Sequence, residues 1–194
     1  MSYWDFIGKD RIETERLVLR RFEKRDKEDV LKLMSEDYVC RMAGIPPFKT
    51  LEQAEQFMRN WYAEAYAVTE KGVDRVIGIV QTPINPFGRC AYMGYWLAEA
   101  YRGKGYMTEA VEAVKEVLFD TDWCEEIKVY IYLGNAASRN LALKCGFHLD
   151  YKGYSENVYN PYGRVESEEA FTITSGEYEW ARRGKTFYTT AEAS

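Results

Sequence analysis

With 194 residues and no Pro/Gly/Ser-rich linker, the chain is sized for one domain rather than two. Its 46% hydrophobic and 29% charged residues exclude a disordered chain, and a net charge of -5 argues against a nucleic-acid binder that works by neutralising phosphates. Four scattered cysteines and one histidine leave no zinc-ligand spacing, and no apolar run approaches the roughly 18 residues of a membrane span. Free thiols and the lack of an N-terminal apolar segment make the cytoplasm the expected location. Residues 1–182 are expected to form the single domain and 183–194 a tail, which includes "TFYTTAEAS".

In chain order, "RLVLRRF" at 16–22 reads as a strand, after which Asp26 caps a helical pattern with Val30, Leu31 and Met34 on one face. Thr50 and Gln53 make a capping box for a helix over 51–62, with Ala54, Phe57, Met58 and Trp61 at spacings of three and four. "AYAVT" at 65–69, "RVIGIVQT" at 75–82 and "CAYMGYWLA" at 90–98 predict three strands of an antiparallel meander, joined by "KGVD" and "NPFGR" turns.

Ala110, Val111, Val114, Val117 and Leu118 predict a helix over 105–119. "IKVYIYL" at 127–133 alternates as a strand, Asn135 caps a short helix, and Gly146 stands where the helix must stop. Two further β-like stretches lie near 147–155 and 168–174. The segment from 90 to 133 has the length of a βαβ crossover, so its two strands are expected to be parallel neighbours.

"YRGKGYMTEA" at 101–110 sits at the strand-to-helix junction of that unit. A helix N-terminus offers unpaired N–H groups and partial positive charge; glycines admit a ligand close to the backbone, and Arg102 and Lys104 add charge. The stretch therefore reads as a phosphate or pyrophosphate cradle, with a plain solvated turn as the alternative. It has neither G-x-x-x-x-G-K-S/T spacing nor the third glycine of a dinucleotide fingerprint, since Thr108 stands there.

Together, "GYWL…YRGKGYMTEA" and "NAASRNLALKCGF" resemble the GNAT N-acetyltransferase superfamily, in particular the branch that acetylates N-terminal alanine or serine amines of ribosomal proteins. The likeness runs from "IETERLVLRRF" at 12–22 to "GEYEWARR" near 180. It implies a mixed α+β fold: a twisted, mostly antiparallel central sheet of about seven strands with one splayed parallel pair, flanked by about four helices. It also implies acetyl-coenzyme A as cosubstrate. The signature R/Q-x-x-G-x-G/A falls on Arg102, Gly105 and Met107, so the backbone of Arg102, Gly103, Lys104, Gly105, Tyr106 and Met107 would grip the pyrophosphate. The pantetheine arm would lie against Trp96, Leu97 and Ala98 like an added strand and contact Asn135.

Three positions depart from the family pattern. Met107 replaces a Gly or Ala. Ala142 occupies the place of the tyrosine that protonates the departing thiolate, which leaves Ser138 of the branch's N-x-x-S as acid, unless its hydroxyl serves only to cap the helix. Tyr92 occupies the place of an acidic residue that helps deprotonate the amine; a tyrosine of pKa about 10 is a poor base, and water or Glu166, Glu168 or Glu169 are the alternatives. As a surface charge run, those three glutamates read first as solvated.

The resemblance thus implies direct acyl transfer to a primary amine without a metal, with backbone N–H groups stabilising the oxyanion. The acceptor would be a protein N-terminus, or else an aminoglycoside, amino acid or polyamine; a coenzyme A-binding module without transfer activity is a further reading. Trp61, Tyr62, Tyr92 and Tyr95 could wall the acceptor pocket. Neither nucleic acid nor membrane is an expected partner, and the chain is expected to be a monomer or homodimer.

Overall fold

The computed structural model describes residues 9–159 and 165–184, with side chains at 154–159 and 165–166 left aside. The segment 185–194, most of the expected tail, lies outside the described residues. In chain order the elements are β1 (Arg11–Glu13), β2 (Leu17–Arg20), α1 (Lys27–Leu33), α2 (Asp37–Ala43), α3 (Leu51–Asn60), β3 (Ala65–Glu70), β4 (Val76–Gln81), β5 (Ile84–Asn85), β6 (Cys90–Tyr92), β7 (Gly94–Leu97), α4 (Tyr106–Phe119), β8 (Glu126–Tyr132), α5 (Ala136–Lys144), β9 (His148–Tyr159), β10 (Val165–Thr174) and α6 (Ser175–Arg182).

Two five-stranded sheets result, in the orders β1-β2-β3-β4-β7 and β5-β6-β8-β10-β9. Pairing is antiparallel throughout except between β6 and β8, the expected parallel neighbours. Both faces of the first sheet are covered. Leu17, Leu19, Tyr66, Val68, Ile77 and Val80 join the core under α4, while Ala65, Ala67, Val76 and Ile79 pack with α1 and α3 residues on the other side. That double burial is why "VIGIV" reads as a continuous apolar run rather than as an alternation.

The mixed fold with a splayed parallel pair is the one expected, but among the described residues there are six α-helices rather than about four. The seven-residue α2 is an element that the sequence patterns did not predict; it ends at Gly44, whose φ of 65° reverses the chain. Helix α6 starts at a Thr174–Glu177 capping box directly after β10. Asp26 is put to a different use than expected. Its carboxylate makes no cap on α1 but accepts both Arg20 guanidinium nitrogens, at 2.7 and 2.9 Å, and the Glu23 N–H at 2.7 Å, all of it buried beneath the sheet edge.

Candidate active site

The stretch 90–98 is not one strand. β6 pairs with β8 from Cys90 to Tyr92, and the Met93 N–H donates to Lys128 O at 2.8 Å; from Gly94 onward the chain turns to β4 instead. β7 and β8 therefore diverge, and the gap opens into a cavity of about 490 Å³. The Ala98 N–H donates to Ile77 O at 2.9 Å, which fixes the alternation: Gly94, Trp96 and Ala98 turn their backbone toward β4, and Tyr95 and Leu97 turn theirs into the gap.

Of the three arm residues implied by resemblance, then, Leu97 presents backbone to the gap, Trp96 borders it while its ring packs edge-on against Phe57, and Ala98 lies outside the cavity. Gly78 makes this close pairing possible. A Cβ there would sit 2.6 Å from Trp96 O and 3.2 Å from Met107 Cε. The same space accommodates Met107, 5% exposed, where the family pattern has Gly or Ala.

At one end of the cavity the turn before α4 has Gly103 at φ 74° and Gly105 at φ 80°, left-handed values that an L side chain adopts with strain. The first helical bond runs from Glu109 N–H to Gly105 O, so the N–H groups of Tyr106, Met107 and Thr108 precede it. Gly103, Gly105 and these three residues all border the cavity. Arg16 braces the turn from outside: it donates to Lys104 O at 2.8 Å and to Glu109 Oε2 at 2.7 Å, and its guanidinium lies 4.6 Å from the Tyr106 ring centre. Burial acts to raise the Glu109 pKa, but hydrogen bonds from Thr14 and Arg16 outweigh it and hold the carboxyl below the usual range.

The two cations of the turn differ in place. Arg102 borders the cavity but is drawn back: Nε donates to Leu97 O at 3.1 Å, Nη2 lies 3.6 Å from Glu36, and the guanidinium covers the Tyr38 ring at 4.2 Å. Lys104 lies outside, its ammonium 5.4 Å from the Tyr101 ring centre; the second cation at the cavity is Lys144 of α5.

α5 forms a further wall. Asn135 Oδ1 accepts the Ser138 N–H at 3.1 Å as the helix cap, and both residues border the cavity. The Ser138 hydroxyl is not used as a cap: it lies 2.9 Å from the Tyr95 hydroxyl, which is also 3.2 Å from the Ser138 carbonyl. Burial pushes the Tyr95 pKa up to about 12, against a smaller opposite effect of the Ser138 bond. Ala142 is fully buried, so a tyrosine there would have to displace core. Tyr95, two residues before Leu97 on β7, brings a phenol to the serine from the other wall; with sequence spacing alone it counted only as a possible pocket aromatic.

The cavity is also lined by Tyr38, Val39, Met42 and Ala43 of α2, by Tyr130 and Tyr132 of β8, and by Glu168 of β10. Tyr132 reaches across to α2, where its hydroxyl lies against Gly44 closely enough to exclude a Cβ. Tyr92 is not among the lining residues; its ring leans on Tyr130 at 6.1 Å between centres. Trp61 and Tyr62 lie outside the cavity as well, Trp61 packing on Phe57. The candidate glutamates separate: Glu168 borders the cavity, Glu169 pairs with Arg139 at 3.2 Å, and the Glu166 side chain lies outside the described residues.

A splayed strand pair beside a glycine-turned helix N-terminus, with facing hydroxyls between them, defines an acyl-transfer site. Residues 16–148 match the acetyltransferase (GNAT) domain, and the chain belongs to the GNAT acetyltransferases and is an N-acetyltransferase. The uncharacterized N-acetyltransferase YoaA of Bacillus subtilis is 26% identical over 167 residues, 77% of this chain and 94% of that protein. The ribosomal-protein-serine acetyltransferase of Escherichia coli is 25% identical over 103 residues, 53% of this chain and 56% of its own. In structure, the spermidine N-acetyltransferase from Vibrio cholerae, solved with CoA and spermine, superposes with a TM-score of 0.75 at 20% identity, over 86% of this chain and 99% of that one. Among the described residues no helix is long and apolar enough to cross a membrane, and no group of three or more metal-ligating side chains occurs.

Proposed function

We propose that this N-acetyltransferase transfers an acetyl group from acetyl-coenzyme A to the N-terminal amine of a protein by direct attack. The observation that carries the reading is the continuity of one cavity: the N–H groups of the α4 turn, the backbone N–H groups of Tyr95 and Leu97, and the Tyr95–Ser138 hydroxyl pair all face it. The likeness to a ribosomal-protein-serine acetyltransferase supports the acceptor class.

The residues present fit the cosubstrate. Gly103 leaves open space above its backbone, and with Gly105, Tyr106, Met107 and Thr108 it would hold a pyrophosphate by N–H groups and helix dipole. Arg102 and Lys144 add positive charge at the cavity wall. Leu97 and Tyr95 would bond the amide-bearing arm as a neighbouring strand does, and Asn135 lies along its course. Acetyl-coenzyme A supplies an acyl group activated as a thioester.

The protein's own contribution is placement and proton management. The Tyr95 and Leu97 N–H groups face the gap and serve as oxyanion donors. Ser138 Oγ gives a proton to the departing sulfur and is refilled from the Tyr95 hydroxyl, whose high pKa keeps it protonated at neutral pH. Positioning of both reactants supplies about 7 to 11 kcal/mol of barrier reduction, which lowers the demand on the acid and base.

Isothermal calorimetry with acetyl-coenzyme A, followed by thiol release against N-terminal peptides and small amines, tests the reading. Binding with release on peptides is expected. Absence of binding would overturn it, and release on spermidine alone would move the acceptor to small amines, the class named by the Vibrio cholerae fold relative.

A further inference from the structure

Two adjacent carboxylates of β10 have opposite surroundings. Glu169 stands across from Ile131, on the side facing α5, where Arg139 neutralises it at 3.2 Å. Glu168 projects to the other side and borders the cavity; it is the only carboxylate among the lining residues, and no cation among the described residues pairs with it.

The backbone is built around this one residue. β10 pairs with β8 without interruption from Glu168, opposite Tyr132, to Thr174. Its pairing with β9 shifts register on both sides of Glu168: Glu166 faces Val158, Glu168 faces Ser155, and Ala170 faces Asp150. Such irregularities re-aim side chains beside functional sites. Gly153 lies in the second of them, so close to Ala170 that a Cβ would collide, which lets β9 pass tightly against β10 there.

The geometry points to Glu168 as the group that binds the acceptor amine and takes its proton. It further points to an acceptor bearing one amine on an extended, largely uncharged chain, because among the described lining residues no second carboxylate would receive a polyamine's further cations. This rests on the acetyl-transfer reading above. In the step, the amine nitrogen forms the C–N bond to the acetyl carbon as a proton passes from that nitrogen to a Glu168 oxygen. The C–S bond breaks, the sulfur takes a proton from Ser138, Tyr95 returns one to Ser138, and solvent restores Tyr95 and discharges Glu168.

The other titratable groups at the cavity are Tyr130 and Tyr132 of β8, Tyr95 of β7, Tyr38 of α2, Tyr106 of α4, and the cations Arg102 and Lys144. Lys128, on the same face of β8, is engaged by Glu126 at 3.4 Å and Asp150 at 3.5 Å. Burial holds the Glu168 carboxyl above the usual range. Its basic form is therefore gained as pH rises through that value, giving an acid-side limb to kcat/KM.

The test compares the wild type with Glu168→Gln and Glu168→Ala, using a tetrapeptide with a free N-terminal serine and spermidine as acceptors. Glu168→Gln should leave acetyl-coenzyme A affinity unchanged, lower kcat/KM for the peptide about 100-fold or more, and abolish the acid-side limb. Calorimetry of the peptide against the coenzyme A complex should show about tenfold weaker binding in Glu168→Gln. Added formate should restore part of the Glu168→Ala activity. Wild-type turnover and pH profile in Glu168→Gln would overturn the assignment. So would activity lost with an unchanged limb, lower thermal stability and no formate rescue, which marks a structural residue. Equal or better kcat/KM for spermidine would overturn the acceptor class. If the wild type fails to bind acetyl-coenzyme A, the underlying reading falls before this one is reached.

Discussion

The Tyr95 hydroxyl lies 2.9 Å from Ser138 Oγ, joining the strand that leaves the sheet to the helix that closes the gap. In the proposed mechanism a residue on each wall thus contributes to one proton path, and the pair would take the part of the tyrosine whose place Ala142 fills. Tyr95→Phe and Ser138→Ala should each lower kcat by about 10- to 100-fold while acetyl-coenzyme A affinity stays nearly intact. The double variant should be little worse than the poorer single one, since both act on one step. Steady-state kinetics and calorimetry check this, and additive losses would separate the two hydroxyls.

Alkaline conditions should destabilise the fold before they disturb this proton path. Burial pushes Tyr95 and Tyr66 up to about 12, Cys90 to about 11, and Cys124 and Cys145 to about 12. In the unfolded chain the thiols and phenols ionise from about pH 8.5 to 10, while in the folded chain they keep their protons. The folded state then binds more protons, so stability is fully present below the unfolded values and falls as pH rises through them toward 11 and 12. The melting temperature should decline steadily above pH 9. Below that pH the native thiols should resist Ellman's reagent and react once the chain is unfolded.

Gly105 couples conformation to ligand binding. Gly105→Ala should cost about 1 kcal/mol of stability, because φ of 80° is strained for an L residue and the new Cβ meets Arg16 at 3.4 Å. Gly105→Glu adds bulk and negative charge at the helix N-terminus and should weaken acetyl-coenzyme A at least about tenfold. Unchanged affinity in calorimetry would place the pyrophosphate elsewhere.

The Arg20–Asp26 pair should be the costliest surface-remote site to disturb. Both side chains are buried, at 6% and 2% exposure, and two hydrogen bonds join them. Asp26→Ala leaves the guanidinium with the more exposed Asp74 at 3.1 Å and Glu23 at 3.7 Å and should cost about 3 kcal/mol, read from urea unfolding. Catalytic constants at a temperature where the variant is folded should not change.

Local periodicity and capping located α3, α4 and α5 and most strands, because their signals lie within a few consecutive residues: Thr50 with Gln53, Asn135 before Ser138, and the apolar stripe from Ala110 to Leu118. The break in 90–98 left no such trace. "CAYMGYWLA" is apolar on both sides of Met93, and only the competition between β8 and β4 for its backbone decides where it parts. The turn glycines before a helix were legible in the sequence, yet the placing of the cations was not, since Arg102 is held back by Glu36 and Tyr38, at and in a helix whose signal is weak. For the same reason Tyr92 and Glu168 could not be ranked: which one borders the cavity depends on strand pairing remote in sequence.

The parting of the strand at Met93 also sets a junction between the two sheets. The chain passes there from β6 of one sheet to β7 of the other, where the ladder of β6 on β8 ends and the gap begins. Whatever fills the gap becomes a keystone, tying the edge of one sheet to the edge of the other, and should raise the melting temperature of both together. Free coenzyme A left behind after transfer offers the same tie: at 100 times its dissociation constant it would stabilise the chain by about 2.7 kcal/mol. The spent product would then act as a brake on the next turnover, and its departure as a pace-setting event.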